Sequence, residues 1–127
     1  VNGLDLWRDY LGWGVTTLLE EPADGIHKDA RSDCHAWGAN PLWFMQTGLA
    51  GIRPDAPFFA KLLVAPCPGP LTEFHAAYPH PSGDMIKVDF NGTAAHGTCA
   101  VETPVVGRFV FAGREQPLAV GKNEFKW

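Results

Sequence analysis

The stretch Met85-Ile86-Lys87-Val88-Asp89-Phe90-Asn91-Gly92 decides the fold class of this chain. Ile86, Val88 and Phe90 alternate with Lys87 and Asp89, the two-residue period of a strand with one face in a core and the other in water. Downstream, Cys99 and Val101 alternate with Thr98, Ala100 and Glu102 in the same way. Further strands are expected at 58–65, 71–77, 105–111, 118–120 and 124–127. Turn chemistry separates them: Pro66-Cys67-Pro68-Gly69, Pro81-Ser82-Gly83-Asp84, Asn91-Gly92, Ala112-Gly113 and Gly121-Lys122-Asn123. Short strands at a spacing of roughly 8–12 residues predict an antiparallel β-sandwich.

Upstream of residue 52 the texture is helical. Leu4, Trp7 and Leu11 fall on one helical face, with Asn2 at the cap position, Asp5 in the first turn and Gly12 and Gly14 as the stop. A second helical region is expected from Ser32. Asn40-Pro41 either kinks it or starts a new helix, and Gly51 ends it. Trp37, Leu42, Phe44, Met45 and Leu49 give this region a broad apolar surface. The chain thus reads as α+β: a short helical segment over 1–51, a hinge near 52–57, and a sandwich over 52–127. Two such helices cannot bury their own apolar faces, so either the sandwich covers them or their partners lie in other sequence.

Composition narrows the function classes. Five Trp and eight Phe among 127 residues provide for a real core and exclude a disordered tail. A net charge of -4 without a Lys/Arg cluster argues against nucleic acid as a partner. No apolar run approaches the ~20 residues needed to cross a bilayer, so no membrane span is expected. The chain begins at Val1 and enters helical structure almost at once, which reads as a processed or truncated beginning. Cys34, Cys67 and Cys99 form no paired framework and are expected to be buried or half-buried thiols. His27, His35, His75, His80 and His96 lack metal-ligand spacing, so neither a metal nor another cofactor is expected.

Chemistry concentrates in residues 14–44, GVTTLLEEPADGIHKDARSDCHAWGANPLWF. Carboxylates beside indole rings suit sugar chemistry: an acid moves protons at the anomeric carbon, and an aromatic ring stacks on a pyranose. The plain reading stands beside it. Glu20 and Glu21 would be solvated loop charges, His35 a hydrogen-bonded helix residue, and Trp37 and Trp43 core. Ser32, Asp33 and His35 are too close in sequence to face one another as a triad.

The segment SDCHAWGANPLWF, preceded by TTLLE and followed by GIRPDAPFF, resembles the end of the catalytic domain of bacterial α-L-rhamnosidases. KLLVAP, HPSGDMIKVDF and GRFVFAG…LAVGKNEF resemble the C-terminal β-sandwich of the same family, so the resemblance covers nearly the whole chain. It implies an inverting hydrolase with an (α/α)6 barrel, of which residues 1–51 would be the last helical elements. The glutamate closing T-T-x-x-E would be the general base, a position held by Glu20. The histidine of S-D-C-H-A-W would line the sugar pocket, a position held by His35, and Trp37 would join it there. Asp33 would support the site. The sequence departs from the family at Gly38 and Asn40, where Ser and His are common. The resemblance places the general acid and the remaining sugar-binding carboxylates upstream, so the implied partners are a rhamnose-containing glycan and a barrel not present in these residues. Without that barrel, Trp7, Leu11, Trp37 and Phe44 need cover, and self-association is expected. The alternative is a non-catalytic carbohydrate-binding or structural sandwich. It would need solvent-facing aromatics, yet the sandwich half holds only Tyr78 and Trp127 as Tyr or Trp.

Overall fold

In the computed structural model, residues 3–20, 32 and 34–127 are described. Asn2, Glu21, Asp24, His27, Asp29 and Asp33 lie outside the described residues. The chain forms two compact units, Val1–Phe44 and Met45–Trp127.

In the first unit, helix α1 spans Gly3–Gly12. The chain leaves it through Gly14, whose φ of 74° is open to glycine at little cost. Tyr10 and Leu19 are buried together, with Trp7 and Val15 packed against them. Burial pushes the Tyr10 hydroxyl pKa above its usual value. The second helical region is a 3-10 turn over Ala36–Ala39 followed by helix α2, Asn40–Phe44. Pro41 therefore starts a helix, as its missing N–H allows.

The second unit opens with a π-helical turn, Met45–Leu49, closed by the Ala50 N–H on the Met45 carbonyl at 2.9 Å. Eight strands follow: β1 (Ile52–Pro54), β2 (Leu62–Val64), β3 (Glu73–Pro79), β4 (Met85–Gly92), β5 (Gly97–Thr103), β6 (Gly107–Phe111), β7 (Arg114–Leu118) and β8 (Gly121–Lys126). They form two four-stranded sheets, ordered β1-β2-β6-β7 and β3-β4-β5-β8. The sandwich expected from the sequence is present. All pairings are antiparallel except β2 with β6, which run parallel. Gly107 permits that pairing, because a β-carbon there would run into the Leu62 carbonyl.

Residues from both sheets share one core. Ile52, Leu62, Val64, Phe109 and Leu118 come from the first sheet; Ile86, Val88, Phe90, Cys99, Val101 and Phe125 come from the second. Tyr78 and Trp127 pack against it. The strand at β4 carries the expected alternation residue for residue, with Ile86, Val88 and Phe90 inward.

Several sequence expectations shift. The Asn91-Gly92 pair is not the turn; β4 runs through it, and the chain reverses where the Thr93 N–H meets the His96 carbonyl. The strand expected at 118–120 lies earlier, as β7. The segment expected to begin a strand at 58 instead forms a 3-10 turn, Pro57–Phe59. The turn at Ala112-Gly113 stands, with φ of 49° and 73°. Among the thiols, Cys99 is buried, but Cys34 and Cys67 are exposed, against the expectation for all three.

Phe58 and Phe59 both sit at positive φ, 57° and 55°, where bulky residues are strained. Phe59 is held there from several sides. Its ring packs on Tyr78 and His80, and its carbonyl accepts the His80 Nε2–H at 3.1 Å. Phe58 is 93% exposed and adds no packing. Replacing it with glycine removes a left-handed penalty of about 1–2 kcal/mol while adding about 0.5–1 kcal/mol of unfolded-chain entropy. Phe58→Gly is therefore expected to raise stability by about 0.5–1 kcal/mol in urea unfolding. A less stable variant would show that Phe58 makes a contact the fold requires.

Candidate active site

The first unit brings together three of the residues singled out in the sequence, Glu20, His35 and Trp37. The segment ending at Glu20 is joined to Ser32 and His35 by two backbone hydrogen bonds. The Glu20 N–H donates to the Ser32 carbonyl at 3.0 Å, and the His35 N–H to the Leu18 carbonyl at 2.7 Å. Ser32 Oγ donates to the Cys34 carbonyl at 2.9 Å, bracing the same turn. This short ladder sets His35 Nδ1 3.9 Å from Glu20 Oε2, with both side chains mostly shielded, 31% and 21% exposed. The gap is too long for a hydrogen bond, so the pair interacts through charge when His35 is protonated.

His35 also meets Trp37 edge to face, with ring centres 5.6 Å apart. Trp37 is 78% exposed, so the expectation that it is core fails; its ring is open to solvent beside the imidazole. Trp43 is also exposed. Gly38 closes the arrangement: its N–H reaches the His35 carbonyl at 2.9 Å, and a β-carbon on it would lie 2.9 Å from Leu18 Cβ. Glycine at this position thus lets the 3-10 turn lie against Leu18. A shielded carboxylate, an imidazole and an open indole in one place can handle a proton, hydrogen-bond a hydroxyl and stack a ring.

The second unit holds other polar clusters. On the outer face of its second sheet, the register sets His75 opposite Asp89. His75 Nδ1 lies 2.7 Å from Asp89 Oδ1, and Nε2 lies 3.3 Å from Glu73 Oε1. The bond to Asp89 foremost, with help from Glu73, raises the His75 pKa. The sequence reading passed over this grouping because its members are fourteen residues apart. The signal that would have found it is antiparallel pairing about the Pro81-Ser82-Gly83-Asp84 turn.

At that turn, His80, Ser82 and Asp84 resemble a triad by composition. Ser82 Oγ donates to Asp84 Oδ2 at 2.9 Å, and the Ser82 N–H reaches His80 Nδ1 at 3.1 Å. The carboxylate therefore touches the serine and not the imidazole it would have to orient, so the group is a braced turn. Arg108 clamps the first sheet through two 2.8 Å bonds to Asp55 and one of 3.2 Å to Glu115. That guanidinium holds the Asp55 carboxyl below its usual range. Burial pushes the Cys99 thiol up to about 12, which leaves it unreactive. Among the described residues, no group of three His, Cys, Asp or Glu could hold a metal ion, and no helix is long and apolar enough to cross a membrane.

No protein-family model matches the chain, and no curated protein matches it. Among solved structures, it is similar to a Streptomyces avermitilis α-L-rhamnosidase complexed with L-rhamnose. The TM-score is 0.70 at 14% sequence identity, over 95% of this chain and 14% of that one. The similarity establishes a shared fold, and the chain spans about a seventh of the length of that enzyme.

The His75 cluster carries a pH dependence of definite sign. A folded-state pKa above the unfolded value favours the folded state below the unfolded pKa and loses that contribution as pH rises through the folded pKa. A proton NMR titration should place His75 above the ordinary histidine value of 6.5, and Asp89→Asn should lower it. An unchanged midpoint in Asp89→Asn would show that Asp89 is not the cause.

Proposed function

We propose that this chain is the C-terminal part of an inverting α-L-rhamnosidase-like glycoside hydrolase. Residues 1–51 form the end of its helical catalytic domain, and 52–127 form a structural sandwich domain. The observation that carries this reading is the approach of His35 Nδ1 to Glu20 Oε2 at 3.9 Å, fixed by the backbone bonds between their segments. The carboxylate of the T-T-x-x-E stretch and the imidazole of S-D-C-H-A-W thereby share one place, as a common sugar pocket requires. The fold shared with a rhamnose-complexed rhamnosidase supports the same family.

In this mechanism, Glu20 accepts a proton from a water molecule as the water attacks the anomeric carbon. The attack comes from the face opposite the departing oxygen, so configuration inverts. The water needs room, which places the general acid roughly 6.5–9.5 Å from the base. That acid belongs to the upstream barrel, so the isolated chain binds sugar weakly and turns nothing over. His35 holds a sugar hydroxyl, and Trp37 offers its exposed face to the ring. No metal or other cofactor takes part, and neither nucleic acid nor membrane is a partner. Leu42, Trp43 and Phe44, each more than half exposed, form the surface through which the chain meets the barrel or, in its absence, another copy.

The alternative is a non-catalytic carbohydrate-binding or structural sandwich; what speaks against an aromatic platform formed by Tyr78 and Trp127 is that both pack against the core.

The 13.8 kDa chain should show no turnover of an aryl α-L-rhamnoside. L-Rhamnose should shift the NMR signals of Glu20, His35 and the Trp37 indole, and His35→Ala should remove that response. Turnover lost in Glu20→Gln would overturn the fragment reading, and silence at all three residues would overturn the sugar assignment. Sedimentation should show association that a Trp43→Ser/Phe44→Ser double variant reduces; a strictly monomeric wild type would refute self-association.

A further inference from the structure

The outer face of the β3-β4-β5-β8 sheet is not flat. At two successive rows, central strand β5 presents the short side chains Thr98 and Ala100, next to the longer Lys126 and Glu124 of β8. The register aligns Asn91, Thr98 and Lys126 in one row across the face, and Asp89, Ala100 and Glu124 in the next. The short pair lies on the floor of an open depression of about 360 Å³, whose lining runs from Glu73 and His75 on β3 across to Glu124 and Lys126 on β8. Strands β4 and β8 flank that floor, their backbones roughly 9–10 Å apart, twice the inter-strand spacing.

Each flank carries one carboxylate and one donor-bearing group: Asp89 with Asn91 on one side, Glu124 with Lys126 on the other. A sugar hydroxyl donates one hydrogen bond and accepts others, so neighbouring hydroxyls need an acceptor and a donor side by side. Both sides offer that combination. His75, bonded to Asp89 Oδ1 at 2.7 Å, restrains that carboxylate's orientation. Asp89, Glu124 and the adjoining Glu73 repel an anion. The charged flanks disfavour an apolar guest. Among the described residues, no cluster suits a metal.

We infer that the trough over β5, between Asp89/Asn91 and Glu124/Lys126, is a binding subsite for a neutral saccharide ring. It differs from the aromatic platform considered above, because it grips hydroxyls from two sides and does not stack on a ring face. It is also independent of the Glu20 site, since its residues all lie in the second unit.

Amide NMR titration of the 127-residue chain with methyl glycosides of neutral hexoses and 6-deoxyhexoses tests it, with putrescine as the amine control. At least one glycoside should shift the amides of 89–91, 98–100 and 124–126 together, saturating in the millimolar range typical of one-ring sites, ~4 kcal/mol. Ala100→Trp fills the trough and should weaken binding at least ~10-fold, a loss of ~1.4 kcal/mol. Glu124→Gln, which leaves the strand surface unfilled, should weaken it several-fold and serves if the tryptophan variant misfolds. A response to putrescine alone would make this a cation site and overturn the proposal. So would silence of these amides toward every glycoside, or unchanged binding in Glu124→Gln. Shifts at His35 and Trp37 report the other site and leave this outcome unaffected.

Discussion

Phe109 of one sheet lies flat on Phe125 of the other, with ring centres 4.2 Å apart and planes 7° from parallel. Around this contact Phe90 stacks on Phe74 and Trp127, and Phe111 meets both Phe90 and Trp127. The first sheet depends most on this aromatic column, because two of its strands, β1 and β2, have only three residues each. Three-residue strands offer few ladder bonds, so inward side chains must supply most of the cohesion. Aromatic rings do so efficiently, since each buries a large area and prefers the offset or tilted geometries seen here. Trp127 also ties the column to the loop after β4, through its indole N–H on the Thr93 carbonyl at 2.7 Å.

That column explains what was legible in the sequence. Residues 85–90 announced a strand because Ile86, Val88 and Phe90 reach the core, and burial imposes a period of two. Strand β7 was hidden because Arg-Glu-Gln-Pro-Leu buries only Leu118 and contains Pro117. A proline is tolerated there because β7 is an edge strand of its sheet. Asn91-Gly92 carries good turn chemistry, but register outweighed it. Phe90 pairs with Cys99 and Gly92 with Gly97, which carries the ladder past the favoured turn. Local preference for a two-residue turn amounts to little against an inward Phe and Cys.

The candidate site was legible in a different way. Nothing in the spacing of Glu20 and His35 requires them to meet; the backbone bonds from Glu20 to Ser32 and from His35 to Leu18 bring them together. The exposure of Trp37 was invisible to composition, which counts any Trp as core. His75 and Asp89 were invisible because their approach depends on strand register, a long-range property.

The two units also differ in how they hold their residues in place. A catalytic carboxylate must be held within about 0.5 Å of its working position. The sandwich could meet that demand, with its shared core of both sheets. The first unit has far less to work with: among its described residues, only Tyr10 and Leu19 are buried apolar groups. Helix α1 has ten residues, shorter than the ~12–15 that an isolated helix needs for marginal stability. Two ladder bonds and a glycine contact define where Glu20 and His35 meet, but they do not make that meeting rigid. Burial of Trp43 and Phe44 against another surface would add the missing cohesion, because each presents more than half of its area to water. Under the proposed function, a surface that covers these aromatics would also steady the carboxylate, which would tie docking to the positioning of Glu20.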